Sequence, residues 1–171
     1  MKAMSFLFAL LVIAAALVSG CAGFPAKRVD TVLRGAVPAD LGAVLGEVTI
    51  NSGMDQFALE RVLRELFPLA AAHLEGQGLA GRAPRNDRAE YSVWLREEEY
   101  TSGLDTRSAV LCVLKLRSKT DGSVYATTIV ADDTKQNIRS SGYLYALLGT
   151  AFQSLSGSIA ASEKATKAEA K

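Results

Sequence analysis

Two cysteines, one histidine and two short carboxylate runs are the residues of this chain whose types could support chemistry. Cys21 closes the run Val18-Ser19-Gly20-Cys21, a thiol placed after one aliphatic and two small residues. Cys112 lies inside Ala109-Val110-Leu111-Cys112-Val113-Leu114, an apolar strand where a thiol stays protonated and shielded. It reads as an inert core residue, with a nucleophile and a labile disulfide as the alternatives. A single histidine leaves few routes to acid–base catalysis near neutral pH. His73 falls in the middle of an apolar helical stripe, the setting of a satisfied core histidine. Glu97-Glu98-Glu99 is an acidic cluster, but strand alternation puts only Glu97 and Glu99 on one side. It reads as a solvated strand end, with a weak divalent-cation site as the alternative, and Asp132-Asp133 reads the same way. No glycine-rich phosphate loop, paired Cys or His ligands, or G-x-S-x-G elbow is present. Catalytic, cofactor and metal residues are therefore not expected, and neither is an enzyme.

The residues before Cys21 explain what its thiol is for. Lys2 supplies a positive start, and Ser5 to Val18 is a weakly polar to apolar run. That run is short for a bilayer span, which takes roughly 20 apolar residues, but it has the length and flanks of a signal-peptide core. Ala22-Gly23-Phe24-Pro25 then breaks the pattern. Val18-Ser19-Gly20-Cys21 resembles the lipobox of bacterial lipoproteins. The resemblance implies a diacylglyceryl thioether on Cys21 and a peptidase that frees its amino group. Two or three acyl chains anchor stably where one binds only marginally. Ala22 in place of aspartate implies, by the sorting habit of enteric lipoproteins, the periplasmic side of an outer membrane.

Without residues 1–20 the chain keeps 151 residues. That suffices for one domain burying about 68–70% of its unfolded surface. The remaining 18 Lys and Arg balance 18 Asp and Glu, so charge points to neither nucleic acid nor an anionic surface. A hydrophobic content of 49% excludes a disordered chain. If Cys21 is a thioether, Cys112 must stay free.

The expected organisation is a tether over 21–41, one domain over 42–161 and a disordered Ala/Lys/Glu tail over 162–171. Val44 to Ile50 is a short strand candidate, with Val44, Val48 and Ile50 on one parity. Ser52 and Asp55 suggest a capping box for a helix over 54–76. Its stripe is Leu59, Val62, Leu63, Leu66, Ala70, His73 and Leu74, and Pro68 predicts a kink or a break after Phe67. After a basic loop from Gly76 to Arg88, strands are predicted over Tyr91–Arg96, Thr106–Arg117 and Val124–Val130. Thr120-Asp121-Gly122 carries the Asp-Gly signal of a tight hairpin turn between the last two. Ser140 or Ser141 caps a final helix to about Ala161. The fold class expected is α+β: strand, helix, three strands, helix, forming an antiparallel sheet with both helices on one face.

The segment Leu147-Leu148-Gly149-Thr150-Ala151-Phe152-Gln153-Ser154-Leu155-Ser156-Gly157-Ser158-Ile159-Ala160 resembles the closing helix of ABC-transport auxiliary lipoproteins of the paraquat-inducible type. The preceding hairpin with its Asp-Gly turn is also similar. The order of elements is similar to the lipopolysaccharide-assembly lipoproteins as well. The resemblance spans about Glu90 to Ala161 and implies an accessory subunit docking on a larger envelope machine.

Two surfaces are candidates for such contact. Trp94 has the opposite parity from Tyr91, Val93 and Leu95, which puts it on the sheet face away from the helices. Either the tether or first strand covers it, or it meets a partner or lipid. The final helix carries no charge from Ser140 through Ser162. Its apolar arc runs from Leu144 to Ile159, and its other side is Ala146, Gly149, Thr150, Gln153 and Gly157. Solvent-facing helix surfaces normally carry charge, so Gly149 and Gln153 are candidate contacts, with harmless exposure and membrane insertion as alternatives. The function expected is a lipid-anchored accessory or binding subunit of an envelope transport or assembly complex. Its partners are the membrane, through the N-terminal lipid, and an envelope protein, with self-association left open. The alternative is a structural or surface-exposed lipoprotein without a transport role.

Overall fold

Residues Ala89 to Glu97 alternate between apolar and polar or amphipathic side chains, and this period of two sets an interior strand of the sheet. The structure is a computed structural model that describes residues 27–34, 37, 42–79 and 87–169. Its elements in chain order are β1 (Lys27–Leu33), β2 (Gly42–Ser52), α1 (Gln56–Gly76), β3 (Asp87–Ser102), β4 (Asp105–Ser118), β5 (Val124–Thr134) and α2 (Ser141–Glu169). The five strands form one sheet in the order β1-β5-β4-β3-β2. Residues 1–26, including the expected signal peptide and Cys21, lie outside the described residues, as does most of 35–41.

The α+β class and the β3-β4-β5 antiparallel meander are as expected, but the sheet is mixed rather than antiparallel. β2 runs parallel to β3, because α1 carries the chain back across the sheet between them. A parallel pair needs such a crossover, whereas adjacent hairpin strands do not. The expected tether also contains a strand. Lys27–Leu33 pairs antiparallel with β5, from Lys27 opposite Asp132 to Leu33 opposite Ala126. Charged residues interrupt its alternation at Lys27, Arg28 and Asp30, which is how an edge strand avoids further pairing and why it reads as linker.

The second edge strand departs from simple alternation. A register shift between Leu45 and Val48 lets Ala43, Leu45, Val48 and Ile50 share the helix-facing side, paired with Ala89, Tyr91, Val93 and Leu95. Val44, paired with Glu90, turns the other way. A bulge adds one residue on one strand and so breaks the period of two.

Both helices lie on one face of the sheet. α1 is capped by Asp55, whose side chain accepts from the Ala58 N–H at 2.9 Å. Ser52 instead accepts from Met54 N–H at 3.2 Å, so no reciprocal box forms. The helix continues through Pro68. Pro68 is exposed, so the carbonyl left without its helical partner faces water. α2 extends through Glu169, past the expected end near Ala161, since Ala, Lys and Glu are strong helix formers. Among the described residues no helix is long and apolar enough to cross a membrane.

The core sits between this layer and the sheet. Leu95, Cys112, Leu114, Leu116 and Val130 meet Val62, Leu66 and Ala70 of α1 and Leu144, Leu147, Leu148, Ala151, Phe152 and Leu155 of α2, all fully or nearly fully buried. Each fully buried leucine contributes on the order of 1.5–3 kcal/mol of transfer free energy.

Candidate functional site

The strand register turns alternate residues into transverse rows on the sheet face opposite the helices. The central row is Thr49, Trp94, Val113 and Ile129, ending at Asp30. On one side of it runs Arg96, Leu111, Ala131 and Arg28, and on the other Ser92, Lys115, Thr127 and Val32. Trp94, Leu111, Val113 and Ala131 are half-buried, while Ile129 and Val32 are exposed to 39% and 50%. Trp94 therefore lies on the face predicted for it, among apolar residues from three neighbouring strands. Neither helix covers this face; both pack against the buried rows on the other side.

Two shallow hollows flank the central row. One, of about 580 Å³, is lined by Thr49, Ser92, Trp94, Val113, Lys115 and Arg117. The other, of about 420 Å³, is lined by Arg28, Arg96, Leu111, Ala131 and Asp133 among others. The rim is charged and largely self-compensating. Arg117 pairs with Glu90 and Arg96 with Glu98. Arg107 donates through Nε to Asp133 Oδ1 at 2.8 Å, and Tyr100 donates its hydroxyl to Asp133 Oδ2 at 2.7 Å. Those two donors hold the Asp133 carboxyl below the usual range, Arg107 more than Tyr100. Arg28 and Lys115 form no ion pair among the described residues. An apolar row with a tryptophan between strips of fixed charge can bind an apolar or aromatic group and orient it through the rim.

The other residues singled out from sequence are placed as follows. Cys112 is free and fully buried on the helix side of β4, where burial pushes its thiol up to about 12. His73 is buried at 8% exposure between the helices. Its Nε2 lies 2.9 Å from the Tyr145 carbonyl, so that nitrogen carries the proton and donates. The ring packs on Tyr145 and Phe152, with centroids at 4.3 and 6.2 Å.

Glu97 is not part of a solvated strand end. It faces the helix layer at 4% exposure and its Oε1 accepts from Ile138 N–H at 3.0 Å. Only Glu98 and Glu99 of the run are exposed, because the helix layer reaches the Glu97 row and holds the connection into α2 against it. Asp132 is also on this side, accepting from the Tyr143 hydroxyl at 3.0 Å. Burial raises the Tyr143 pKa first, and Asp132 adds to the rise. Among the described residues no group of three His, Cys, Asp or Glu is arranged to hold a metal.

Gly149 does not lie on an outward helix face. A Cβ there would stand 3.0 Å from His73 Cε1, so the missing side chain is what lets the α1 histidine approach α2. Thr150 and Ser154 are likewise turned inward, toward β1: Lys27 Nζ donates to Thr150 Oγ1 at 2.8 Å, and Thr31 and Ser154 hydroxyls meet at 2.9 Å. Part of the uncharged side of α2, at Gly149 and Thr150, is thus covered by α1 and β1, leaving Ala146, Gln153 and Gly157 exposed. The sequence hides this because Lys27–Leu33 reads as tether. Arg28 and Val32 on the open face are not legible either, because charged residues break the alternation of Lys27–Leu33.

No family model matches the chain, and no curated protein matches it either. Among solved structures, the chain is similar to the PelC dodecamer from Paraburkholderia phytofirmans, at 19% identity over 73% of this chain and 94% of that one, with a TM-score of 0.49. A second crystal form, of a Leu-to-Met variant, gives 23% identity over 73% and 93%, with a TM-score of 0.47. Lipoprotein GNA1162 from Neisseria meningitidis is similar at 12% identity over 68% and 99%, with a TM-score of 0.38. With TM-scores below 0.5, these likenesses identify neither a family nor a function for this chain.

Proposed function

We propose that this protein is an envelope lipoprotein, acylated at Cys21, that works by binding as a non-catalytic accessory subunit on the periplasmic side of an outer membrane. The lipid anchor rests on the apolar run ending in Val18-Ser19-Gly20-Cys21. The observation that supports binding is the open sheet face, where Trp94, Val113 and Ile129 form an apolar row that neither α1 nor α2 covers. A solvated sheet face ordinarily alternates to polar residues, and contiguous apolar surface rimmed by charge marks interaction sites. Tryptophan in such a patch is a typical anchor of a protein–protein contact.

The test is crosslinked co-purification from native membranes with the wild-type chain, Trp94→Ala and Gln153→Glu. Trp94→Ala is expected to lose the envelope partner while the isolated protein melts within a few degrees of wild type. Gln153→Glu, on the exposed strip of α2, is expected to retain it. A partner kept by Trp94→Ala would remove the open face from the proposal, and loss with Gln153→Glu would move the contact to α2. If wild type captures no partner and intact cells expose the domain to protease, the protein is a surface lipoprotein instead.

A further inference from the structure

The start of β1 limits how far the folded body can stand from an acylated Cys21. Six residue steps separate Cys21 from Lys27, the first residue of β1. Six extended residues reach at most about 20–22 Å. Lys27 pairs with Asp132, Asp132 with Val110 and Val110 with Glu97, which places the start of β1 on a definite row of the sheet.

β1 runs away from one end of the molecule, and the β3–β4 hairpin projects toward that end. β4 continues from Val110 back to the turn at Leu104, so at about 3.3–3.4 Å per residue the hairpin tip stands roughly 20 Å beyond the Lys27 row. In the other direction β4 runs from Val110 to Ser118 before its turn, roughly 27 Å by the same rise. That far turn exceeds the reach of the linker. An inverted molecule could not touch the membrane with it while Cys21 stayed anchored.

The chemistry of the two hairpin turns differs in the same sense. The near tip is a two-residue loop, Gly103-Leu104, closed by the pair Ser102 and Asp105. Gly103 takes φ 64° and Leu104 does not, which is the pattern of a II′ hairpin turn. That turn leaves Leu104 completely exposed, at 106%. α1 begins at the same end, four residues after Ser52, which pairs with Glu97, and there Phe57 is 81% exposed. The far turn, Lys119-Thr120-Asp121-Gly122, carries no apolar side chain. Near the Leu104 tip Asp105 pairs with Lys135 and Asp133 with Arg107, while Glu99 and Asp55 are exposed carboxylates without an ion pair among the described residues, so this end offers no net attraction to anionic lipid. Contact there would rest on apolar insertion rather than on lipid charge.

We propose that the end bearing Leu104 and Phe57 is a bilayer-contacting surface, with the β3–β4 hairpin tip dipping into the headgroup region. The inference rests on acylation at Cys21. The occupant is a phospholipid surface, because the linker holds this end within its own length of one. The contact would orient the open sheet face sideways, across the membrane normal, where an envelope partner can reach it.

The experiment uses the full lipidated protein in phosphatidylcholine vesicles, with an environment-sensitive fluorophore on Leu104→Cys or on Asp121→Cys. Acylated Cys21 and buried Cys112 leave the introduced thiol as the reactive one. Iodide is expected to quench the Leu104→Cys probe several-fold less than the Asp121→Cys probe, and spin-labelled lipid to quench only the former. Equal iodide quenching at the two positions, or protection of Asp121→Cys alone, overturns the proposal. The mass of the N-terminal peptide from the same vesicles separates the two levels. With acylated Cys21 and equal quenching, only the membrane-facing end is wrong. A Cys21 without acyl chains overturns the lipoprotein reading and this inference with it.

Discussion

The two faces of the sheet are built from alternate residues of the same strands, yet they have different fates. Leu95, Cys112, Leu114 and Val130 on one face are fully buried under α1 and α2. Their immediate neighbours Trp94, Leu111 and Val113 on the other are only half-buried, though they are as apolar. Hydrophobicity of the side chain does not separate the faces; the presence of a covering layer does. A strand that is apolar on both parities carries one face for folding and one available for contact.

Truncation should separate the faces most sharply. Leu114→Ala removes a side chain with no exposure and should destabilise by about 2–5 kcal/mol, by analogy with buried leucines elsewhere. Val113→Ala, one residue away on the open face, should stay within about 1 kcal/mol. Urea denaturation of the two variants measures the difference. Similar losses would mean the open face is also covered, and that the distinction drawn between the faces fails.

A smaller effect is expected within the acidic run. Glu97→Leu would leave the buried Ile138 N–H without its acceptor, a loss of about 1–3 kcal/mol. Glu98→Ala alters only an exposed ion pair on the other face and should change stability by less than about 0.5 kcal/mol. Thermal melting at low and high salt should show Glu98→Ala indistinguishable from wild type at high salt, with Glu97→Leu lowered at both.

The finest probe is Cys112. Buried on the helix face, it should react with thiol reagents only on denaturation. Its native thiol keeps a proton up to about 12, against 9.0 for an ordinary cysteine. Between those values the unfolded chain binds fewer protons than the native one, so stability should fall as pH rises through that window. Melting curves of Cys112→Ala over the same range should show a shallower fall. Rapid labelling of native protein would place the thiol on the accessible face.

The acidic run shows what was legible. Alternation correctly separated Glu97 from Glu98, but it could not say which parity the helix layer would cover at that end of the strand. Trp94 was legible for the same reason that Glu97 was not. It stands amid Tyr91, Val93 and Leu95, whose parity is unmistakably core, whereas Glu97 continues that parity past the last apolar residue. His73 was legible as a core residue from its stripe, while its partner Gly149 was not. Helical spacing reports the faces of one helix and not the angle at which another crosses it.

Local chemistry, then, was determined by the sequence alone. It set the alternation of β3 to β5, the place of the β4–β5 turn at Asp121-Gly122 though not its four-residue length, the apolar stripes of both helices and the shielded setting of Cys112. Those depend on residues a few positions apart, whose geometry the backbone dictates. Only the tertiary structure decided that Lys27–Leu33 is a strand, that β2 lies parallel to β3, and that β1 and His73 occupy the small-residue side of α2. Each of these depends on a partner far along the chain, and the pairing of an edge strand leaves little trace in its own residues. An edge strand is stabilised on one side only and is kept polar enough to resist further pairing, so its sequence resembles linker until the neighbouring strand is in place.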